Sequence, residues 1–259
     1  MPIAVAGLAQ PAAVEVRRLP AAEANQGVAA DARWVYAIDN SRIARYDKAS
    51  GRRIAEWNGD PARFPHVNSC TVRRRELVCA ASNYPAMPMR SEVLWFDAKS
   101  LRLTRTEPLP FPDGSLTWLD WHDGHWWAGY ANYDGKGGAP GRDHRQTLVV
   151  RYTRTFTPIA TYAFPDSVLA RLAPRSTSGG AWGPDGLLYV TGHDRPELYA
   201  MRAPRTGTVL AHVATIRTVT GGQAIGWEVG TRRRLWSIER ASHDLVLSRV
   251  PAVMPRGRR

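Results

Sequence analysis

The sequence predicts an all-β chain built by repeating one four-stranded unit. Three observations lead there. The 259 residues include 22 Gly and 19 Pro spread evenly along the chain, as frequent turns require. The stretch 176–201, STSGGAWGPDGLLYVTGHDRPELYAM, holds three short β-runs, separated by the turn signals Gly-Pro-Asp-Gly (183–186) and Gly192–Pro196. The same succession of run, turn, run, loop, run, turn, run recurs along the chain, the mark of a repeat architecture.

Aligning the runs on the residue before each first turn (Ala30, Val72, Trp121, Trp182 and Trp227) justifies the elements in order. Residues 13–18 are a lone strand. Unit one has strands at Gln26–Ala30, Trp34–Ile38, Arg42–Tyr46 and Arg53–Trp57. Unit two has His66–Val72, Leu77–Ala81, Glu92–Phe96 and Leu101–Thr106, with a long connection, 82–90, that carries Asn83 and Tyr84. Unit three has Ser115–Trp121, His125–Ala131, Gln146–Tyr152 and Thr157–Ala163, and Asp123-Gly124 is a strong hairpin signal. Its 132–145 loop, NYDGKGGAPGRDHR, is polar, Gly-rich and too long for a tight turn, so it is a candidate functional loop. Residues 166–176 hold one expected helical turn. Unit four is the stretch 176–201 with Thr208–Ile216 as its outer strand. Unit five has runs from Gln223, at Arg234–Ile238 and at Leu245–Val250, and lacks a fourth strand.

The missing fourth strand and the orphan first strand fit each other. Pairing residues 13–18 beside 245–250 leaves no sheet edge open. With blade signals such as GPDGLLYVTGHDRPELYAM, WHDGHWWAGY and RYDKASGRRIAEW, the chain resembles a β-propeller. The resemblance spans nearly the whole chain and implies five four-stranded antiparallel blades, closed by the N-terminal strand pairing with the last blade. The expected organisation is a signal-peptide remnant or flexible end at 1–12, one propeller domain at 13–250 and a basic tail at 251–259.

Composition bounds the environment. The N-terminus, MPIAVAGLAQPAAVEV, has the apolar stretch and small residues of the tail of a secretory signal but not its positive start. It reads either as a truncated signal or as an Ala-rich end; export to the periplasm or beyond is the expectation. Cys70 and Cys79 flank Arg74-Arg75. If those arginines form a two-residue hairpin loop, the cysteines stand directly across the ladder and can bridge, which suits an oxidising compartment. The alternative is two buried thiols. No apolar run is long enough to span a membrane. Net charge is +12, and with only three lysines the basic residues are nearly all Arg. The charge is scattered, as base composition alone would produce, and a monomer is expected.

The propeller resemblance sorts polar residues by face. Fourth-to-first and second-to-third connections share one face with the starts of the inner strands. Four residues before each inner-strand end stand Gln26, Asn68, Thr117, Ser178 and Gln223, all polar and neutral. They should ring the channel mouth and hold a small polar or anionic ligand or ordered water. Ser115, Asn132, Asp134, Arg142 and His144 are further binding candidates on that face, and Lys136, Arg142 and Arg145 make its long loop cationic. His66 and His193 are the candidate bases if the site does chemistry. That alternative is a hydrolase or cyclase similar to lactonase propellers. The gluconolactonase type holds a metal with acidic and Asn ligands, whereas this ring has Asn68 and no carboxylate, so no metal ligands are assigned and a divalent metal is not favoured. Paired-carboxylate glycosidase chemistry is doubtful on the same ground. Ser242-His243-Asp244 reads as a turn, not a triad. On the opposite face, Arg73–Arg75 and Arg232–Arg234 share a turn class. A second alternative is therefore a module docking on an anionic envelope surface. Nucleic acid is not expected, because no aromatics are interleaved for base stacking.

Overall fold

Successive strand residues point to opposite faces, and in this chain both faces of most strands are apolar. In the computed structural model, which describes residues 10–109, 114–135, 137, 140–230 and 233–253, that pattern folds into five sheets arranged in a ring. Residues 1–9, Lys136, Arg232 and the tail from 254 lie outside the described residues.

Strand β1 (Val14–Pro20) stands first in the chain. Blade one is β2 (Gly27–Ala30), β3 (Trp34–Asp39), β4 (Arg42–Asp47) and β5 (Arg53–Asn58). Blade two is β6 (His66–Arg73), β7 (Glu76–Ser82), β8 (Ser91–Asp97) and β9 (Leu103–Pro108). Blade three is β10 (Ser115–His122), β11 (His125–Ala131), β12 (Leu148–Tyr152) and β13 (Pro158–Ala163). Blade four is β14 (Gly179–Trp182), β15 (Leu188–Thr191), β16 (Glu197–Arg202) and β17 (Ala211–Arg217). Blade five is β18 (Gly226–Trp227), β19 (Arg234–Glu239) and β20 (Asp244–Arg249). Its fourth strand is β1, antiparallel to β20 from Val14↔Arg249 to Pro20↔Asp244. The ring is therefore closed as the orphan strand predicts.

Five apolar clusters fill the spaces between neighbouring blades. On β3, Val35 and Ala37 join Trp236 and Leu247 of blade five, while Tyr36 and Ile38 face Leu77 and Phe96 of blade two. Trp118, Trp127 and Tyr162 of blade three pack against Val190, Tyr199 and Met201 of blade four. Outer strands such as β5 and β9 are largely exposed. The hairpin β6–β7 has the register that the Arg74-Arg75 loop implies, with Cys70 opposite Cys79, and the two form a disulfide. Their Cα atoms are 4.0 Å apart, as in the closer type of antiparallel pair.

Among the boundaries that differ from the sequence reading, three differ because the backbone finds another partner. Blade five's inner run is ladder-paired only at Gly226–Trp227, since Ala224 gives its N–H to Gln26 O of blade one at 3.3 Å. Val209 pairs with Ala163 of blade three rather than extending β17. Gln146 belongs to a short 3-10 turn, His144–Gln146, capped by Asp143, so the third strand starts at Leu148. The expected helical turn is α1 (Asp166–Leu172), which buries Val168, Leu169 and Leu172.

One carboxylate ties three blades together inside the channel. Asp120 accepts from Thr71 Oγ1 of blade two at 3.0 Å, from Trp121 N of its own strand at 2.9 Å and from Trp182 N of blade four at 2.8 Å. It borders a channel cavity of about 40 Å³, and burial pushes its pKa up to about 6 against the pull of those donors. The folded-state pKa is raised, so ionisation above pH 6 weighs against the fold, and the native state gains stability as pH falls from 6 towards 4. Asp120→Ala should destabilise the protein by about 3 kcal/mol at pH 5, because it strands three donors, and by less at pH 8. Urea unfolding of both proteins at the two pH values checks the size and the direction.

Candidate functional site

The inner strands converge at one end of the channel on a cavity of about 150 Å³. All five neutral ring residues line it: Gln26, Asn68, Thr117, Ser178 and Gln223. Two devices bring them there. In β6 and β10 the ladder skips one residue, between Val67 and Ser69 and between Leu116 and Trp118. The skipped residues are Asn68 and Thr117, and a bulge of this kind re-aims a side chain. Beside Gln26 and Ser178 stand Gly27 and Gly179. A Cβ on Gly27 would lie 2.7 Å from Ala224 Cβ, and one on Gly179 would lie 2.6 Å from Gln223 O. Only glycine allows the inner strands to come this close to the axis.

His66 and His193 also line the cavity, together with Tyr84, Tyr133, Arg175 and Arg240. Tyr133, Arg175 and Arg240 were not singled out from the sequence. Arg240 lies in the β19–β20 connection, the same class of loop that carries His193, and Arg175 lies three residues before Ser178, so chain position alone held that signal. The remaining candidates are not brought to the cavity. Ser115 is fully buried, with its hydroxyl 2.8 Å from that of Ser82. Asn132 is buried and donates Nδ2 to Gln146 O at 3.1 Å. Asp134 pairs with His144 Nδ1 at 2.8 Å in the 132–145 loop, where Arg142 also lies half-buried. Asp134, Asp143 and His144 hold ligand atoms within 4.8 Å of one another, but Asp143 is engaged by Arg145, which draws its pKa down to about 2. Ser242-His243-Asp244 is a turn in which Ser242 Oγ donates to Asp244 Oδ2 at 2.6 Å.

The cavity has a definite electrostatic character. None of its lining residues is a carboxylate. Arginines elsewhere are commonly paired, as Arg53 is with Glu23 and Arg171 with Glu197. Arg175 and Arg240 have no carboxylate partner among the described residues. Arg240 Nε donates to Asn25 Oδ1 at 3.3 Å, and its Nη1 lies 3.4 Å from His193 Nε2. His193 Nδ1 is 2.5 Å from Asp194 Oδ1, which holds the imidazole from behind. Asn40 Oδ1 accepts from Gln26 Nε2 at 3.1 Å and lies 2.6 Å from His66 Nδ1. That oxygen can only accept, so His66 carries its proton on Nδ1 and leaves Nε2 as a lone pair. The His66 ring stands 5.1 Å from Tyr84, whose ring is 5.0 Å from Tyr133. Burial, aided by the Arg240 charge, lowers the His66 pKa to about 4, so its imidazole is neutral at pH 7. Gln223 is 4% exposed and its Nε2 has no hydrogen-bond partner.

The opposite end of the molecule differs in kind. Arg73 lies over the Trp121 ring at 4.0 Å, and burial together with the charges of Arg74 and Arg154 lowers its pKa. Arg233 is neutralised by Asp185 at 2.6 Å, so of the blade-five arginines expected on this face that one is paired. His122 stacks on Trp182 with centroids 4.0 Å apart.

No protein-family model matches the chain, and no curated protein does. Solved structures do. The PQQ-bound form of aldose sugar dehydrogenase from Streptomyces coelicolor superposes with a TM-score of 0.56 at 16% identity, covering 98% of this chain and 85% of that one. A chain of the mitotic checkpoint complex gives 0.48 at 12% identity, covering 97% of each chain. The Cps50 (Swd1) β-propeller domain of Myceliophteria thermophila gives 0.41 at 13% identity, covering 87% of this chain and 84% of that domain. At such identities the likeness extends to the propeller fold and no further.

The His66 environment makes a prediction about pH. Its folded pKa lies below the unfolded value of about 6.5. Its neutral form therefore supports the fold fully above pH 6.5, and that support is lost as pH falls towards 4. Relative to His66→Gln, the wild type should lose about 3 kcal/mol of stability between pH 7 and pH 4. Paired denaturant titrations at both pH values measure it; parallel pH profiles would contradict it.

Proposed function

We propose that this protein is an exported propeller that binds a small anionic ligand, a carboxylate or phosphate, at the channel mouth. The observation that carries the reading is the pair Arg175 and Arg240. Both line a cavity without carboxylates, and neither has an acidic partner among the described residues. Guanidinium groups recognise carboxylate and phosphate through charge-assisted hydrogen bonds. The Cys70–Cys79 disulfide supports export, since such bonds persist in oxidising compartments. No helix of the described residues is long and apolar enough to cross a membrane. The lactonase-like alternative has a neutral imidazole in His66, but no carboxylate at the cavity to assist it.

A thermal-shift screen tests the reading. Small carboxylates or phosphate at 100 times Kd should stabilise the wild type by about 2.7 kcal/mol, and neutral sugars should not. Arg240→Gln and Arg175→Gln should each weaken binding by about 10- to 100-fold, the loss of a hydrogen bond to a charged group. Equal shifts in wild type and both variants would refute an anion site here.

A second reading, docking of the opposite end on an anionic surface, is favoured by one observation. Arg73, Arg74, Arg75 and Arg154 have no salt bridge among the described residues, and like charges crowd Arg73. Co-sedimentation with anionic vesicles should fall steeply as ionic strength rises. It should fall further in an Arg74→Gln, Arg154→Gln double variant. Retention that ignores salt would rule the electrostatic reading out.

A further inference from the structure

We infer that the ligand of the channel-mouth cavity is a short hydroxy carboxylate. The inference rests on the anion reading above and adds what the uncharged part of the ligand must be. Three of the lining side chains, Thr117, Asn68 and His66, spend all their donors on the protein. Thr117 Oγ1 donates to Gly129 O at 3.3 Å, and Asn68 Nδ2 donates to Leu116 O at 2.8 Å. His66 Nδ1 donates to Asn40 Oδ1, and Gln26 Nε2 gives one of its two N–H groups to the same oxygen. What those three retain are acceptors only: the Thr117 lone pairs, Asn68 Oδ1 and His66 Nε2.

A simple carboxylate or dicarboxylate carries acceptors only. It can satisfy Arg175 and Arg240, but it would set its oxygens against the lone pairs of Thr117, Asn68 and His66. A hydroxyl group removes the conflict, because it donates to one ring acceptor and still accepts from a donor. The two demands together, an anion for the arginines and an O–H for the ring, describe a hydroxy acid. An ammonium group would also donate to the ring, as in an amino acid, but it would enter a cavity lined by two guanidinium groups that have no carboxylate partner among the described residues. Size limits the class further. A cavity of about 150 Å³ accommodates a benzene-sized molecule when closed. With an open mouth it suits a ligand of roughly six to ten non-hydrogen atoms. The tyrosines Tyr84 and Tyr133 wall one side, so the carbon skeleton has an apolar surface to lie on.

Isothermal titration of the intact chain with malate, tartrate, succinate, aspartate and inorganic phosphate tests this. Malate or tartrate should bind at least about tenfold more tightly than succinate, because loss of the hydroxyl leaves a buried acceptor unpaired. In His66→Phe, which keeps a ring beside Tyr84, that preference should shrink to about twofold or less. The wild-type comparison alone decides the matter if the variant does not fold. Succinate binding as tightly as malate overturns the hydroxy-acid inference and leaves the anion reading standing. Preference for aspartate, or for phosphate over all the carboxylates, overturns it in the same way. No binding by any of the five overturns both.

Discussion

The closure of the ring by β1 and β20 is the constraint on which everything else depends. Each apolar cluster lies between two blades, so no blade can bury its faces alone, and a five-blade ring has no terminal unit to cap. The last blade has only three strands of its own, and β1 supplies the fourth by pairing along β20. The same pairing sets Leu19 into the cluster between blades five and one. It also sets the distance between Gln26 and Gln223, which belong to those blades, and Ala224 N–H reaches across to Gln26 O. The candidate site is thus a product of closure: its lining comes from all five blades and exists only when the first and last meet.

The channel changes sign along its length. At the mouth stand two guanidiniums without a carboxylate partner among the described residues, two imidazoles and a neutral ring. Further in, Asp120 holds three donors from three blades beside a far smaller cavity. Desolvation acts on both levels in opposite senses, lowering the His66 pKa and raising that of Asp120. An anion drawn to the mouth meets a carboxylate below, so charge as well as space confines it to the upper level.

Local pattern carried a long way in this chain. Turn residues and period-two apolar runs set the strand order, and the hairpin loop at Arg74-Arg75 set the register that places Cys70 opposite Cys79. The repeat alignment alone located five positions, Gln26, Asn68, Thr117, Ser178 and Gln223, that line one cavity. These succeed because each depends on contacts within a hairpin or on the equivalence of repeats, and both are written in the chain locally.

What local pattern could not carry is pairing between blades. Ser115 occupies a strand start on the same face as the ring, yet its hydroxyl turns to Ser82. Asp134 and His144 lie on a polar loop that sequence favours as functional, yet they pair with each other away from the cavity. Arg233 looks like its counterparts in blade two, yet Asp185 of the neighbouring blade neutralises it. Arg175 and Arg240 look like any other arginines in an arginine-rich chain, and only the assembled ring leaves them beside a cavity without an acid. The sequence by itself determined the repeat, its closure and the ring positions. The tertiary structure decided which charges are spent and which remain, because electrostatic neutralisation depends on distances between residues far apart in the chain.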